Sequence, residues 1–132
     1  MMDEYLVPVA AFERLLNEYK RYGSIVVAYD FDNTVYDFHK KGATYDNVIQ
    51  LLRNLKEINC TIICFTANED SDFVKGYCAA NNIPLDLLNE NPAFFKSTSK
   101  KIYFNALLDD RAGLIQVFNE LTQLYNQVKS KT

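Results

Sequence analysis

Two aspartates separated by one residue, Asp30 and Asp32, stand at the end of the apolar run Ile25–Tyr29. A run this short, rich in β-branched residues and lacking alternation, has the pattern of a parallel strand buried on both faces. In open α/β sheets the ligand crevice lies beyond the carboxyl ends of the strands. Paired carboxylates there repel each other unless a cation or a proton lies between them. The simplest cation is Mg²⁺, a hard ion that takes oxygen ligands and retains several waters. A carboxylate beside such an ion can attack a phosphoryl group. A lone D-x-D also suits a plain polar turn, because Asp and Asn are ordinary turn residues. The rest of the chain decides between the two readings.

Two further apolar runs end in residues of the same kind. Thr61–Phe65 leads to Thr66-Ala67-Asn68, and Asn105–Leu108 leads to Asp109-Asp110-Arg111. The polar stretch Asn89–Lys101 carries Lys96, Lys100 and Lys101 ahead of that last run. Strand ends of a parallel sheet converge on one crevice. Carboxylates, a hydroxyl and a lysine recurring at them point to a site rather than to unrelated turns. The single histidine, His39, rules out a histidine-rich metal site, so the chemistry falls to carboxylates.

The elements that position these residues follow from periodicity. Val9–Tyr22 carries Phe12, Leu15, Leu16 and Tyr19 at helical spacing and is closed by Gly23, with Pro8 at its start. Val35–Lys41 alternates and precedes Gly42, which predicts a short extended flap or hairpin from which Tyr36, Phe38, His39 and Lys40 could touch a substrate. Thr44 is the expected N-cap of a helix with Tyr45, Val48, Ile49, Leu51, Leu52, Leu55 and Ile58 on its apolar face. A helix opening at the acidic stretch Glu69–Asp72 buries Phe73, Val74, Tyr77 and Cys78, with Asn68 or Ser71 as candidate caps, and ends at Asn81-Asn82. Leu85–Leu88 is a short third strand, and Ala112–Val128 a final amphipathic helix before a fraying Ser130-Lys131-Thr132. Strands alternating with helices imply an α/β fold of the doubly wound, three-layer, Rossmann-like type, with about four parallel strands in one domain.

Composition sets the outer limits. The 132 residues suit a single core, and the net charge of −3 with a pI near 5.1 disfavours nucleic acid as a partner. No apolar stretch reaches membrane-span length, and Met1-Met2-Asp3-Glu4-Tyr5 lacks the pattern of a secretory leader. Cys60, Cys64 and Cys78 are odd in number and form no C-x-x-C pair, so they read as small buried hydrophobes in a reducing cytoplasm.

In order and placement the motifs resemble the haloacid dehalogenase (HAD) superfamily of aspartate-nucleophile hydrolases. The first is Asp30-Phe31-Asp32-Asn33-Thr34, the second Ile62-Ile63-Cys64-Phe65-Thr66, the third a lysine, and the fourth Leu107-Leu108-Asp109-Asp110. The resemblance implies Asp30 as nucleophile forming an aspartyl-phosphate and Asp32 as general acid, then base. It implies Thr66 as donor to a phosphoryl oxygen, with Ala67, Asn68 and Lys100 as substrate-binding neighbours. Mg²⁺ would be held by Asp30, the Asp32 backbone carbonyl and Asp109, with Asp110 behind them. Lys101 is the preferred charge-neutralising lysine, with Lys100 and Lys96 as competitors. Because Asp32 can protonate an oxygen leaving group, phosphate-ester chemistry is favoured over dehalogenation.

Spacing narrows the substrate. Asp32 to Thr66 holds only the flap and one helix, and Thr66 to Lys101 only a helix, a short strand and a loop. Neither interval has room for the cap domain of many HAD enzymes. A capless, open site suits a bulky or macromolecular phosphorylated substrate, or closure by a second copy of the chain in a homo-oligomer. One departure from the family pattern is the single helix, with no clear fifth strand, after Asp110. The alternative reading is a phosphorylatable or phosphate-binding signalling module of the same fold with little turnover. Receivers of that kind carry their phosphoacceptor on a later strand than the acidic pair, whereas here the second and third strands end without an aspartate.

Overall fold

The computed structural model describes Asp3 and residues 6–131. Met1, Met2, Glu4, Tyr5 and Thr132 lie outside the described residues, and with them most of the segment read for a leader and the last residue of the expected frayed end. In chain order the elements are α1 (Pro8–Tyr22), β1 (Val26–Tyr29), α2 (Asp46–Glu57), β2 (Thr61–Cys64), α3 (Ser71–Ala80), β3 (Leu87–Leu88), β4 (Ala106–Leu108) and α4 (Leu114–Ser130).

The four strands form one parallel sheet in the order β3-β2-β1-β4. The chain lays down β1, β2 and β3 in one direction, then returns to place β4 on the far side of β1. The reversal makes the gap between β1 and β4 the switch point, where crevices of such sheets open. All four residues of β1 are buried, which accounts for its unbroken apolar run. Val27 and Tyr29 join the large core shared with the helices, whereas Val26 and Ala28 face the other side.

All four helices contribute to that large core, through Phe12 and Leu15 of α1, Leu52 and Leu55 of α2, Val74 and Cys78 of α3, and Leu121 and Leu124 of α4. Each such side chain contributes on the order of 1.5–3 kcal/mol by leaving water. The third layer is thin. Ile102, with Tyr103 and Phe104, covers the opposite face of the sheet without forming a helix.

The outer strands are short, and two Asx side chains extend them. Asn105 donates its backbone N–H to the Val26 carbonyl at 2.7 Å, and its Oδ1 accepts from the Val26 N–H at 2.7 Å. Asp86 does the same for Ile62, donating its N–H at 2.9 Å and accepting on Oδ2 at 2.8 Å. Lys56 Nζ adds a 2.8 Å ion pair to that carboxylate. Without these side chains two buried strand N–H groups would lack acceptors. They also explain why β3 and β4 begin later than the apolar runs Leu85–Leu88 and Asn105–Leu108 predict.

Other boundaries differ for local reasons. α1 ends as expected, with Gly23 at φ 69° donating its N–H to the Tyr19 carbonyl. α2 starts from Tyr45 rather than Thr44, and no side chain caps it. Asp70, not Asn68 or Ser71, caps α3, its side chain accepting from the Phe73 N–H. α4 begins at Leu114 rather than Ala112 because Gly113 takes a left-handed φ of 68°, and it continues through Ser130. The expected flap is not a hairpin. Asp32 and Tyr36 make one isolated bridge, and turns follow. No fifth strand follows β4 among the described residues. Cys60, Cys64 and Cys78 are free and buried. Among the described residues no helix is long and apolar enough to cross a membrane.

Candidate active site

Asp30 is the first residue after β1, and its N–H is bound by the Leu108 carbonyl of β4 at 2.8 Å. The neighbouring strand ends at the next residue, Asp109, so the two carboxylates arise on either side of the switch point. Oxygens of Asp30, Asp109 and Asp110 all lie within 4.8 Å of one another. They line a cavity of about 360 Å³ with Asp32 and Asn33 from the turn after β1 and Thr66 and Ala67 from the end of β2. Phe38, His39 and Arg111 complete its rim.

The turn after β1 is fixed from below. Phe31, between the two aspartates, is fully buried. It stacks on Tyr36 at 5.1 Å and meets Phe73 and Tyr77 edge-on at 6.1 and 5.7 Å. Its carbonyl accepts from the N–H groups of Thr34, Val35 and Tyr36, closing a wide turn. Asn33 adopts φ 62°, a left-handed conformation Asn tolerates well. The residue between the aspartates is therefore an anchor that holds both carboxylates at the cavity.

Thr34 ties the two strand ends together. It is fully buried, its hydroxyl donates to Asp30 Oδ2 at 3.3 Å, and the same oxygen accepts from the Asp110 N–H at 3.1 Å. The Asp30 carboxyl has its pKa pushed up to about 7. Burial is the largest cause, followed by the Asp109 charge, a hydrogen bond with Asp110 and the Asp110 charge, while the Thr34 hydrogen bond pulls it back down. Asp32 Oδ1 is buried and accepts no hydrogen bond among the described residues.

Thr66 is set by Asn89, at the end of β3. The Asn89 side chain accepts from the Thr66 N–H at 2.8 Å and donates to the Thr66 carbonyl at 2.9 Å. Thr66 Oγ1 accepts from the Asn68 N–H at 3.1 Å, and its own proton has no acceptor among the described residues. That hydroxyl is a donor ready for an oxygen in the cavity. Arg111 holds its backbone through an N–H bond to Asp109 Oδ1 at 2.9 Å, and its exposed guanidinium makes no ion pair among the described residues.

Of the residues singled out in the sequence, the structure brings Asp30, Asp32, Thr66, Ala67 and Asp109 to one cavity. Asn68 is not on its wall, because its side chain is spent shaping the loop by accepting from the Asp70 N–H at 2.9 Å. Lys100 and Lys101 also lie off it, exposed in a bend where the Lys101 N–H is held by Ser99 Oγ. The cationic side chain on the wall is Arg111, for which the sequence suggested no single role. Asp110 belongs to the carboxylate group as fully as Asp109, whereas it was expected behind the others. The Asp32 side chain is not one of the three clustered carboxylates. From the expected flap, Phe38 and His39 reach the rim. Lys40 lies over the Tyr36 ring at 4.4 Å and donates to its hydroxyl.

Sequence reasoning missed the bracing roles of Thr34 and Asn89. The threonine that closes the first motif, Asp30-Phe31-Asp32-Asn33-Thr34, was a signal for the first, and no sequence signal pointed to the second.

No protein-family model matches the chain, and no curated protein does. Among solved structures, a conserved protein from Bacteroides thetaiotaomicron is similar at a TM-score of 0.61 and 20% identity. The similarity covers 83% of this chain and 93% of that one. At this identity the likeness is one of fold.

Proposed function

We propose that the cavity between β1 and β4 is the active site of a Mg²⁺-dependent phosphoric monoester hydrolase of the HAD-like kind, working through an aspartyl-phosphate on Asp30. The observation that carries this reading is the meeting of three carboxylates, from Asp30, Asp109 and Asp110, within 4.8 Å on a cavity shared with Asp32 and Thr66. Three oxygen donors of this kind fit a hard divalent ion, and the raised pKa of Asp30 reflects burial first and then the charges of Asp109 and Asp110, a repulsion that a cation relieves. Asp30, Asp109 and Asp110 would hold Mg²⁺, with the Asp32 backbone carbonyl that the family resemblance implies. When bound, the ion offsets the negative charge gathered by the phosphoryl oxygens.

The chain's own residues then divide the work. An Asp30 oxygen attacks phosphorus as the bond to the leaving oxygen breaks, and Asp32 delivers a proton to that oxygen. Asp32, now ionised, takes a proton from water. The water oxygen attacks phosphorus, the aspartyl-phosphate bond breaks, and inorganic phosphate leaves. The unpartnered Asp32 Oδ1 is an atom free to carry that proton. The Thr66 hydroxyl donates to a phosphoryl oxygen, and Arg111 supplies positive charge from the rim. Lys101 and Lys100 stay exposed on a bend off the cavity, so the charge-neutralising part falls to Arg111.

The open cavity suits a bulky phosphorylated substrate or closure by a second copy of the chain. The buried free thiols suit a reducing cytoplasm. The test is phosphate release from an aryl phosphate, with and without Mg²⁺, by the wild type and by Asp30→Asn. Turnover that needs both the ion and Asp30 is expected. Undiminished turnover in Asp30→Asn would remove the nucleophile assignment, and a stable phosphorylated Asp30 without turnover would favour a signalling module.

A further inference from the structure

Phe38 is a large apolar side chain in an unusual place. It lines the same cavity as four aspartates, yet 52% of it is exposed. Its position is held from several directions. The Phe38 N–H is bound by the Tyr36 carbonyl at 2.9 Å. The Asp37 carboxylate accepts the N–H groups of Lys41 and Gly42 at 3.2 and 2.8 Å, closing the loop beneath it. The His39 ring stands edge-on to the Phe38 ring at 5.3 Å and 80°, and His39 lines the cavity as well. Tyr36, Phe73 and Tyr77 pack among themselves with Phe31, so Phe38, with the His39 ring beside it, is the apolar aromatic left at the mouth.

An exposed ring costs hydration free energy that a ligand's apolar surface recovers on binding. Aromatic pairs add a geometric preference for offset or edge-to-face contact. The cavity, about 360 Å³, has room for a phosphoryl group and one ring. A ring joined directly to the phosphate therefore has room beside Phe38 while phosphorus sits by Asp30.

We infer that Phe38, steadied by His39, selects phosphate monoesters whose leaving group is a phenol, with the aryl ring packed on Phe38 and the phosphoryl group among Asp30, Asp32 and Thr66. This rests on the phosphatase reading of the same cavity. A free aryl phosphate and a phosphotyrosyl side chain present the same chemistry.

Aryl esters are intrinsically more reactive than alkyl esters, so the test reads binding rather than rate. Phenylphosphonate and methylphosphonate, neither hydrolysable, are titrated against the Mg²⁺-loaded protein, its Phe38→Ala variant and its Phe38→Tyr variant. In the wild type phenylphosphonate binds about three- to tenfold tighter, as an aromatic pair contributes. The ratio falls toward one in Phe38→Ala and is kept in Phe38→Tyr. A ratio that Phe38→Ala leaves intact, or no binding of either phosphonate, overturns the inference. Because turnover is not the readout, its failure is separable from failure of the phosphatase reading, which rests on Mg²⁺- and Asp30-dependent phosphate release. If the selection holds, a phosphotyrosyl peptide and its phosphoseryl counterpart as competitors separate the two sources. Preference for the phosphotyrosyl peptide over phenyl phosphate assigns the ring to a protein substrate, and the reverse assigns it to a small molecule.

Discussion

Replacing Asp30 by Asn should stabilise the metal-free protein by an amount that grows between about pH 4 and 7 and is full above neutral pH. Burial and the charges of Asp109 and Asp110 place the Asp30 pKa near 7 in the folded chain. In the unfolded chain an Asp titrates near about 3.9. Between these values the folded state holds a proton that the unfolded state has released. Stability attributable to this group is therefore complete below pH 4, falls as pH rises from there, and is fully lost once pH has passed through 7. A difference of about three pH units corresponds to roughly 4 kcal/mol at most. The carboxyl is only half buried, so water and salt screen its neighbours, and about 1–2 kcal/mol is the realistic size. An Asn at this position can still accept from Thr34 and donate to Asp110, but it carries no charge. The variant should therefore be ahead by only about a third of its full advantage at pH 5 in EDTA, and by about 1–2 kcal/mol at pH 8. Urea unfolding at four pH values between 5 and 8 measures this difference. Glu120, whose pKa burial also raises, is common to both proteins and cancels. Saturating Mg²⁺ at pH 8 should then raise the wild type more than the variant, because a ligand that binds only the folded state stabilises it by mass action. A difference that does not change between pH 5 and 8, or a variant that is weaker at pH 8, would refute the electrostatic account of the carboxylate group.

Two further substitutions separate positioning from chemistry. Thr34→Val keeps shape but removes the hydroxyl, leaving the Asp110 N–H without its acceptor; it should cost about 1–2 kcal/mol in urea unfolding and shift the acid limb of any pH–rate profile upward, since that hydroxyl holds the Asp30 pKa down. A loss of stability with an unmoved profile would deny Thr34 its electrostatic part. Asn105→Ala strips the buried Val26 N–H of its acceptor at the far end of the sheet and should cost about 1–3 kcal/mol; a protein as stable as the wild type would mean that another acceptor takes over.

The fold was legible because its signals are local. Unbroken apolar runs at Ile25–Tyr29 and Thr61–Phe65 are short and rich in β-branched residues, which suits buried strands rather than helices, and their alternation with amphipathic helices leaves a parallel sheet as the economical arrangement. The boundaries were less legible because they depend on distant partners. β3 and β4 are cut short by Asp86 and Asn105, whose side chains do the hydrogen bonding of a strand residue for Ile62 and Val26. The alternation of Val35–Lys41 suggested a hairpin, yet Phe31 draws Tyr36 into an aromatic cluster and the Asp37 carboxylate curls the chain at Gly42.

By itself the sequence determined which carboxylates stand at strand ends, since an apolar run that stops at Asp30 or Asp109 must release that aspartate at the carboxyl edge of the sheet. Only the tertiary structure decided how close they come, because the 4.8 Å grouping depends on β4 returning beside β1 and on Thr34 joining their two turns. It also decided that Arg111 rather than a lysine lines the cavity, that Asn89 braces Thr66 from 23 residues away, and that Phe38 is left facing open space. Periodicity records whether a residue meets the core, which is a property of one element. Distances between the ends of different elements are set by strand order, and nothing in a single run of residues encodes them.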